Sequence, residues 1–529
     1  MPVRRIVGLG LLVLAACSTS NHSGTSSSSS SSTGTIGGTT GGASGTTGGS
    51  TGTSGVCLAA TPTVNDVAEF LYDGGFDGGC GGQCDGGIPN DDFVVDFTGT
   101  AATFSPNVPP VGGVIPTGSD FSELYGANGR SCFSCHTFND GWTITALGVQ
   151  QAFLANATAS SNDDLPPVFR PVDGANSPDS GLATADERAA SYTMLYNRAV
   201  IRVGIGMPAN AEFTLTAVDD PYSFASANEL SLFRRPLTTQ NLKFESDIMW
   251  DGRETVPCNP VSLALENQAN DAILTHAQAQ TPLSAEDRQA IVAFESTIFA
   301  AQTLDFDAGV LDVAGALGGP TNLAALPFYV GMNDSAGADP DGGAFNPVVF
   351  TLFDGWATQN PVPPGQAAIL RGQALFNTQT FTVTNVRGLN DDLGMPSVTA
   401  TCSTCHDTPN VGTSSFAHRY DIGISDADNR TFSGGDAGIA TLPLYTFTNN
   451  STGEVIETTD PGRALISGQW KDMNRFKVPG LRNLSARFPY FHNGSAFNLA
   501  DVVAYHDNRF NIGLTAQQQA DLVFFLQAL

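Results

Sequence analysis

Cys402-Ser403-Thr404-Cys405-His406 places two thiols three residues apart with an imidazole directly behind them, and Cys132-Phe133-Ser134-Cys135-His136 repeats the pattern upstream. On a single helical turn such thiols share one face, where they can bond the two vinyl groups of one porphyrin. The His that follows points its ring at the iron as proximal ligand. C-x-x-C-H is accordingly the attachment motif of c-type haem. Four thiols can also build a zinc knuckle or two disulfides, but neither needs a His immediately after both pairs. The chain has nine Cys and seven His, so two such pentapeptides are hard to assign to coincidence. The reading is two covalently bound haem c groups on Cys132, Cys135, Cys402 and Cys405, with His136 and His406 as proximal iron ligands.

Other residues able to serve that chemistry lie between and after the two motifs. Trp250-Asp251-Gly252-Arg253 is followed by Leu265-Glu266-Asn267-Gln268-Ala269 and by His276. Downstream come His418, then Lys477, Pro479, Leu481, Arg482 and Asn483, then Pro489-Tyr490-Phe491-His492 with Gly494. Together these runs resemble the bacterial di-haem cytochrome c peroxidases and their relative MauG. The match is strongest from 475 to 529 and leaves the segment between His136 and Trp250 unexplained.

The resemblance implies roles. Trp250 would lie between the haems and carry electrons. Gln268 would sit over the peroxide-binding face of the first haem, and His418 would support the edge of the second. The family's acidic residue beyond the Gln is missing, and His276 stands nearby as either an acid–base group or a sixth iron ligand. At the sixth-ligand position of the second haem the peroxidases carry Met and MauG carries Tyr; here it is His506, with Tyr505 beside it. Helical neighbours point about 100° apart, so only one faces the iron, and His506 is preferred. The family also binds an interdomain calcium, but Arg234-Arg235-Pro236 occupies the place of its Asn ligand, and a cation there opposes calcium.

The elements that must position these groups read as mainly α: two c-type cytochrome domains joined across an interface, with loop-rich insertions. Helical periodicity is expected from about Ala185 to Val203, over 282–303 behind a Ser284 cap, from Gly365 through Asn377, and in the terminal run capped by Thr515 and Gln518. Domain boundaries follow: 57–305 for the N-terminal haem domain, 306–365 for a connecting region, 366–529 for the C-terminal cytochrome domain.

Ahead of these, Arg4 and Arg5 precede an apolar run, Ile6 to Ala16, too short for a stable span. Leu14-Ala15-Ala16-Cys17 resembles a bacterial lipobox. That implies a signal peptide over 1–16, a lipid anchor at Cys17, and, with Ser18 rather than Asp behind it, the periplasm or cell surface at the outer membrane. The Ser/Gly/Thr stretch to residue 56 is a tether reaching roughly 35 Å as a random coil. In that oxidising compartment Cys57, Cys80, Cys84 and Cys258 would form two disulfides of open pairing.

The 529 residues carry 23 Lys+Arg against 51 Asp+Glu, a formal net charge of −28. Such a surface cannot neutralise a row of phosphates, which excludes nucleic acid, and it suits docking of a small, basic redox protein. The expected activity is peroxidase-like, with hydrogen peroxide as oxidant. The alternatives are a non-catalytic electron carrier with His276 and His506 closing both irons, and a MauG-like oxidase of a partner protein if Tyr505 is the ligand. A homodimer is the usual assembly of the resembling family.

Overall fold

The helix Pro364–Thr378 starts with a proline at its first position, and Ala516–Gln527 starts behind Thr515, whose Oγ1 accepts from Gln518 N while Gln518 Oε1 accepts from Thr515 N at 2.9 Å. These signals satisfy amide groups that a helix start leaves open. The two helices pack closely because Gly372 has no side chain: a Cβ there would lie 2.0 Å from Asp521 O and 2.6 Å from Phe525 Cβ. Arg371 clamps the same contact through a bidentate ion pair with Asp521 at 2.7 and 2.8 Å. Gly372→Ala is therefore expected to separate the helices and cost about 1–3 kcal/mol. Denaturant unfolding at unchanged m-value checks this, and a wild-type midpoint would refute it.

The computed structural model describes residues 125–255, 260–432 and 440–529, with strand backbone at 94–95 and 101–104. The expected signal peptide, Cys17, the tether, and Cys57, Cys80, Cys84 and Cys258 lie outside the described residues. Around the helix pair, Phe350, Phe353 and Trp356 join Ile369, Phe376, Leu522, Phe525 and Leu526 in a buried core. Phe350 meets both Phe376 and Phe525 edge-on at 5.2 Å. Part of the stretch expected as a connecting region thus supplies core.

Strands are more abundant than the periodicity implied, and the mainly α expectation holds only in part. The run expected as one helix from Ala185 to Val203 forms helices Ala185–Ser191 and Thr193–Arg198. Ala199 then turns left-handed at φ 49°, and Ile201–Ile205 becomes a strand paired antiparallel with Leu230–Arg234. The β-branched residues Val200, Ile201 and Val203 favour that outcome. The helix capped by Ser284 ends at Glu295, and Phe299–Gln302 pairs with Ala101–Phe104 as a strand. A three-stranded antiparallel sheet draws on both halves of the chain: Phe213–Asp219 pairs with Leu444–Asn449, which pairs with Val455–Thr458. Among the described residues no helix is long and apolar enough to cross a membrane.

Candidate functional site

Each C-x-x-C-H motif folds into one tight 3₁₀ turn, Cys132–Ser134 and Cys402–Thr404. The carbonyl of the first Cys accepts from the amides of the second Cys and of the His: 3.1 and 3.0 Å at Cys132, 3.4 and 3.2 Å at Cys402. The hydroxyl of the third residue caps the turn, accepting from Ser131 N at 3.1 Å in one motif and from Thr401 N at 3.0 Å in the other. Two turns far apart in sequence thus present thiol, thiol and imidazole alike.

The imidazoles are fixed alike as well. His136 Nδ1 lies 3.2 Å from Trp142 O and His406 Nδ1 lies 2.6 Å from Gly412 O. A carbonyl only accepts, so Nδ1 carries the proton and Nε2 is left as the atom that would ligate a metal. Gly412 can make this approach because its φ of +74° suits glycine and a Cβ there would meet Leu481 at 2.8 Å. Burial lowers both imidazoles to about 4 against the hydrogen bonds that raise them, which keeps the rings in the neutral, metal-binding form. The four thiols are unbonded, and burial pushes Cys135 up to about 11 and the other three up to about 12.

Each motif opens into a cavity, of ≈ 170 Å³ at Cys132–His136 and ≈ 250 Å³ at Cys402–His406. Helix Val261–Thr275 walls the first. Leu265, Gln268, Ala269, Ala272 and Ile273 line it at helical spacing, and His276, the C-terminal cap residue, extends the stripe. Helix Leu499–Phe510 walls the second with Leu499, Val502, Val503, His506 and Phe510. That stripe includes His506, whose Nδ1 lies 2.8 Å from Val502 O. It excludes Tyr505, whose hydroxyl donates to Ile422 O at 2.9 Å and whose ring packs on Phe491.

Arg235, Pro236, Trp250, Lys477 and Arg487 line both cavities. Trp250 Nε1 donates to Arg235 O at 2.8 Å, which fixes the indole in the shared wall. Arg235 Nη1 and Arg487 Nε are buried without a hydrogen-bond partner among the described residues, as is Arg482 Nη2 in the first cavity. Burial pulls Arg235 and Arg482 down to about 9 and Arg487 to about 10. Unneutralised guanidinium groups in these walls call for an anionic occupant. A porphyrin meets every requirement: propionates for the arginines, apolar faces for the stripes, vinyl groups for the thiols and iron for the imidazoles.

The first cavity also holds an acidic arrangement that sequence reasoning missed. Asp173 Oδ2 lies 2.5 Å from His276 Nδ1, and Asp173 Oδ1 pairs with Arg130. Burial would raise Asp173, but Arg130 and His276 outweigh it and hold the carboxyl below its usual range. Asp173 falls in the segment that the sequence resemblance left unexplained and carries no local signal. Glu295 is also buried in this wall, its Oε1 without a partner among the described residues, and burial pushes it up to about 8. An acid four residues beyond Ile291 on an apolar stripe was a readable signal for it. Of the remaining expected residues, His418 pairs with Asp334 at 2.8 Å and stacks on Tyr420, which lines the second cavity. Arg234, expected to oppose calcium, is paired with Asp251 at 2.5 Å and Asp460 at 2.7 Å.

Paired thiols, a carbonyl-anchored imidazole and a mostly apolar cavity with unneutralised arginines are the features that a c-type haem site requires. The chain is similar to the bacterial di-haem cytochrome c peroxidases. It is 27% identical over 150 residues to the cytochrome-c peroxidase IdrP1 of Pseudomonas sp. (strain SCT), covering 25% of this chain and 36% of that protein. Against the cytochrome-c peroxidase IdrP2 of Denitromonas iodatirespirans it is 30% identical over 139 residues, 24% of this chain and 35% of the other. With the cytochrome c551 peroxidase of Nitrosomonas europaea the match is 37% over 76 residues, 14% and 23%. The chain thus spans about a third or less of the length of these relatives. No protein-family model matches it. A MauG-like protein associated with microbial copper homeostasis superposes with a TM-score of 0.35 at 14% identity, over 80% of this chain and 92% of that one.

Proposed function

We propose that the chain is an exported di-haem oxidoreductase that reduces hydrogen peroxide, tethered through Cys17 to the outer membrane and fed by a small redox protein. The carrying observation is the difference between the two cavities. In the second, His506 stands on an apolar helix stripe that shares its cavity with His406, so both imidazoles would be available to one iron. In the first, the corresponding helix brings Gln268 and His276, with His276 tied by Nδ1 to Asp173. A tethered His beside a Gln suits acid–base work on a small polar substrate.

Converting H₂O₂ to two waters consumes two electrons and two protons, and bound haem would supply the electrons. His276 Nε2 takes a proton from one peroxide oxygen and returns it to the other, which leaves as water when the O–O bond breaks; the oxygen left behind takes the two electrons and two further protons and becomes the second water. Gln268 orients the peroxide, and buried, protonated Glu295 holds a proton within the same cavity. Trp250 in the shared wall is the path between the two centres. The test is absorption and EPR spectroscopy before and after one-electron reduction, then with peroxide. One high-spin centre that reacts with peroxide is expected; two permanently low-spin centres indifferent to peroxide would leave an electron carrier.

His506 as ligand has its own consequence. Imidazole stabilises ferric iron relative to thioether sulfur. His506→Met is expected to raise one midpoint potential by on the order of 0.1 V, part of the about 0.8 V range that axial ligands span. Spectroelectrochemical titration reads it, and an unmoved potential removes His506 from the iron.

A further inference from the structure

We propose that Asp173 is the positioning carboxylate of the first cavity, holding His276 in the tautomer whose Nε2 lone pair is presented to the substrate. The inference rests on the peroxide reading above and deepens it. Asp173 is buried at 4% exposure and receives His276 Nδ1 at 2.5 Å. A carboxylate only accepts, so the proton of a neutral His276 sits on Nδ1 and Nε2 keeps its lone pair.

The carboxylate cannot turn away, because Arg130 holds its other oxygen. Arg130 is itself fully engaged: Nε donates to Pro167 O at 2.8 Å, Nη2 to Val168 O at 2.9 Å, and Nη1 also to His276 O at 3.0 Å. One guanidinium thus grips the carboxylate, the backbone of the His it orients and the segment that carries Asp173. Arg130 lies two residues before Cys132, so the positioning pair is built off the haem-attachment turn. An ordinary buried ion pair would need none of this convergence on one imidazole.

The arrangement makes Asp173→Asn an informative change. Arg130 only donates, so the amide oxygen must face Arg130 and the amide NH₂ must face His276 Nδ1. Nδ1 then becomes the acceptor and the proton moves to Nε2. Such a His can donate but no longer accept, while shape and packing stay nearly constant.

Cyanide association with the oxidised holoprotein isolates this step from turnover, because HCN must surrender its proton as cyanide binds and His276 Nε2 receives it. Asp173→Asn is expected to slow both cyanide association and peroxide reduction by about 10²-fold, with the ferric spectrum near wild type and the unfolding temperature lowered, because buried Arg130 loses its counter-charge. Asp173→Glu keeps the carboxylate and hence the tautomer, and should stay within about tenfold of wild type. Wild-type cyanide association in Asp173→Asn, or an equally deep loss in Asp173→Glu, overturns the proposal. Should Asp173→Asn not accumulate with haem attached, the Asp173→Glu result still decides. A first centre that is low-spin in the wild type and high-spin in Asp173→Asn would support tautomer control by Asp173 while overturning the peroxide reading.

Discussion

His276→Ala is expected to lower the second-order rate constant for peroxide reduction by about 10²–10⁴-fold, the usual worth of a positioned acid–base group. The ferric spectrum of the first centre should stay high-spin. The magnitude follows from what remains after truncation. Gln268 cannot accept a proton at neutral pH. Glu295, pushed up to about 8 by burial, is already protonated there, so it can donate but not accept. Among the described residues lining the cavity, the other carboxylates are engaged, Asp173 by Arg130 and Glu245 by Lys477. The ligand reading predicts the reverse sign. If His276 binds iron, its removal opens a coordination position, converts a low-spin centre to high-spin and raises peroxide reactivity. Stopped-flow kinetics with EPR on one preparation separates the two outcomes, and an unchanged rate with an unchanged spectrum removes His276 from both roles.

The parts of the site legible in the sequence are those fixed by local geometry. The two C-x-x-C-H turns are each closed by hydrogen bonds within five residues, so spacing alone conveys their shape. The preference for His506 over Tyr505 rests on the resemblance alone; the structure puts His506 on the cavity face with Leu499, Val502, Val503 and Phe510 and leaves Tyr505 off it. Asp173 was not legible. It reaches His276 across 103 residues, through a contact that leaves no mark on the residues around it. The strand Ile201–Ile205 was missed for a related reason. Its Val-Ile-x-Val run continues the apolar phase of the preceding helix for a few residues, and only pairing with Leu230–Arg234 decides between them. Arg235 and Arg487 look like ordinary surface cations in sequence. Their role appears once both are seen buried in the wall shared by two cavities.

Arg234→Met is expected to destabilise the fold by about 3–5 kcal/mol, the cost of removing one partner from a buried ion network. Arg234 closes the strand Leu230–Arg234 and reaches the Trp250-Asp251-Gly252-Arg253 turn and Asp460 together. All three charged groups are buried. Burial opposes the charge on Arg234, and Asp460 and Asp251 outweigh it. Burial would likewise raise Asp251, but Arg234 and Arg253 hold it well below the usual carboxylate range. A depressed carboxylate contributes stability that is present above its unfolded pKa and is lost as pH falls through the folded value. The wild type therefore loses this contribution only in strong acid. In the Met variant Asp251 keeps Arg253 at 3.1 Å, while the Asp460 carboxylate loses both guanidinium bonds and keeps the Gly462 amide at 2.8 Å. Denaturant unfolding of both proteins at neutral pH reads the difference. A loss below about 1 kcal/mol would mean that Arg234 contributes packing and hydrogen bonds alone, without acting as the internal cation that ties the Trp250 turn to the C-terminal half.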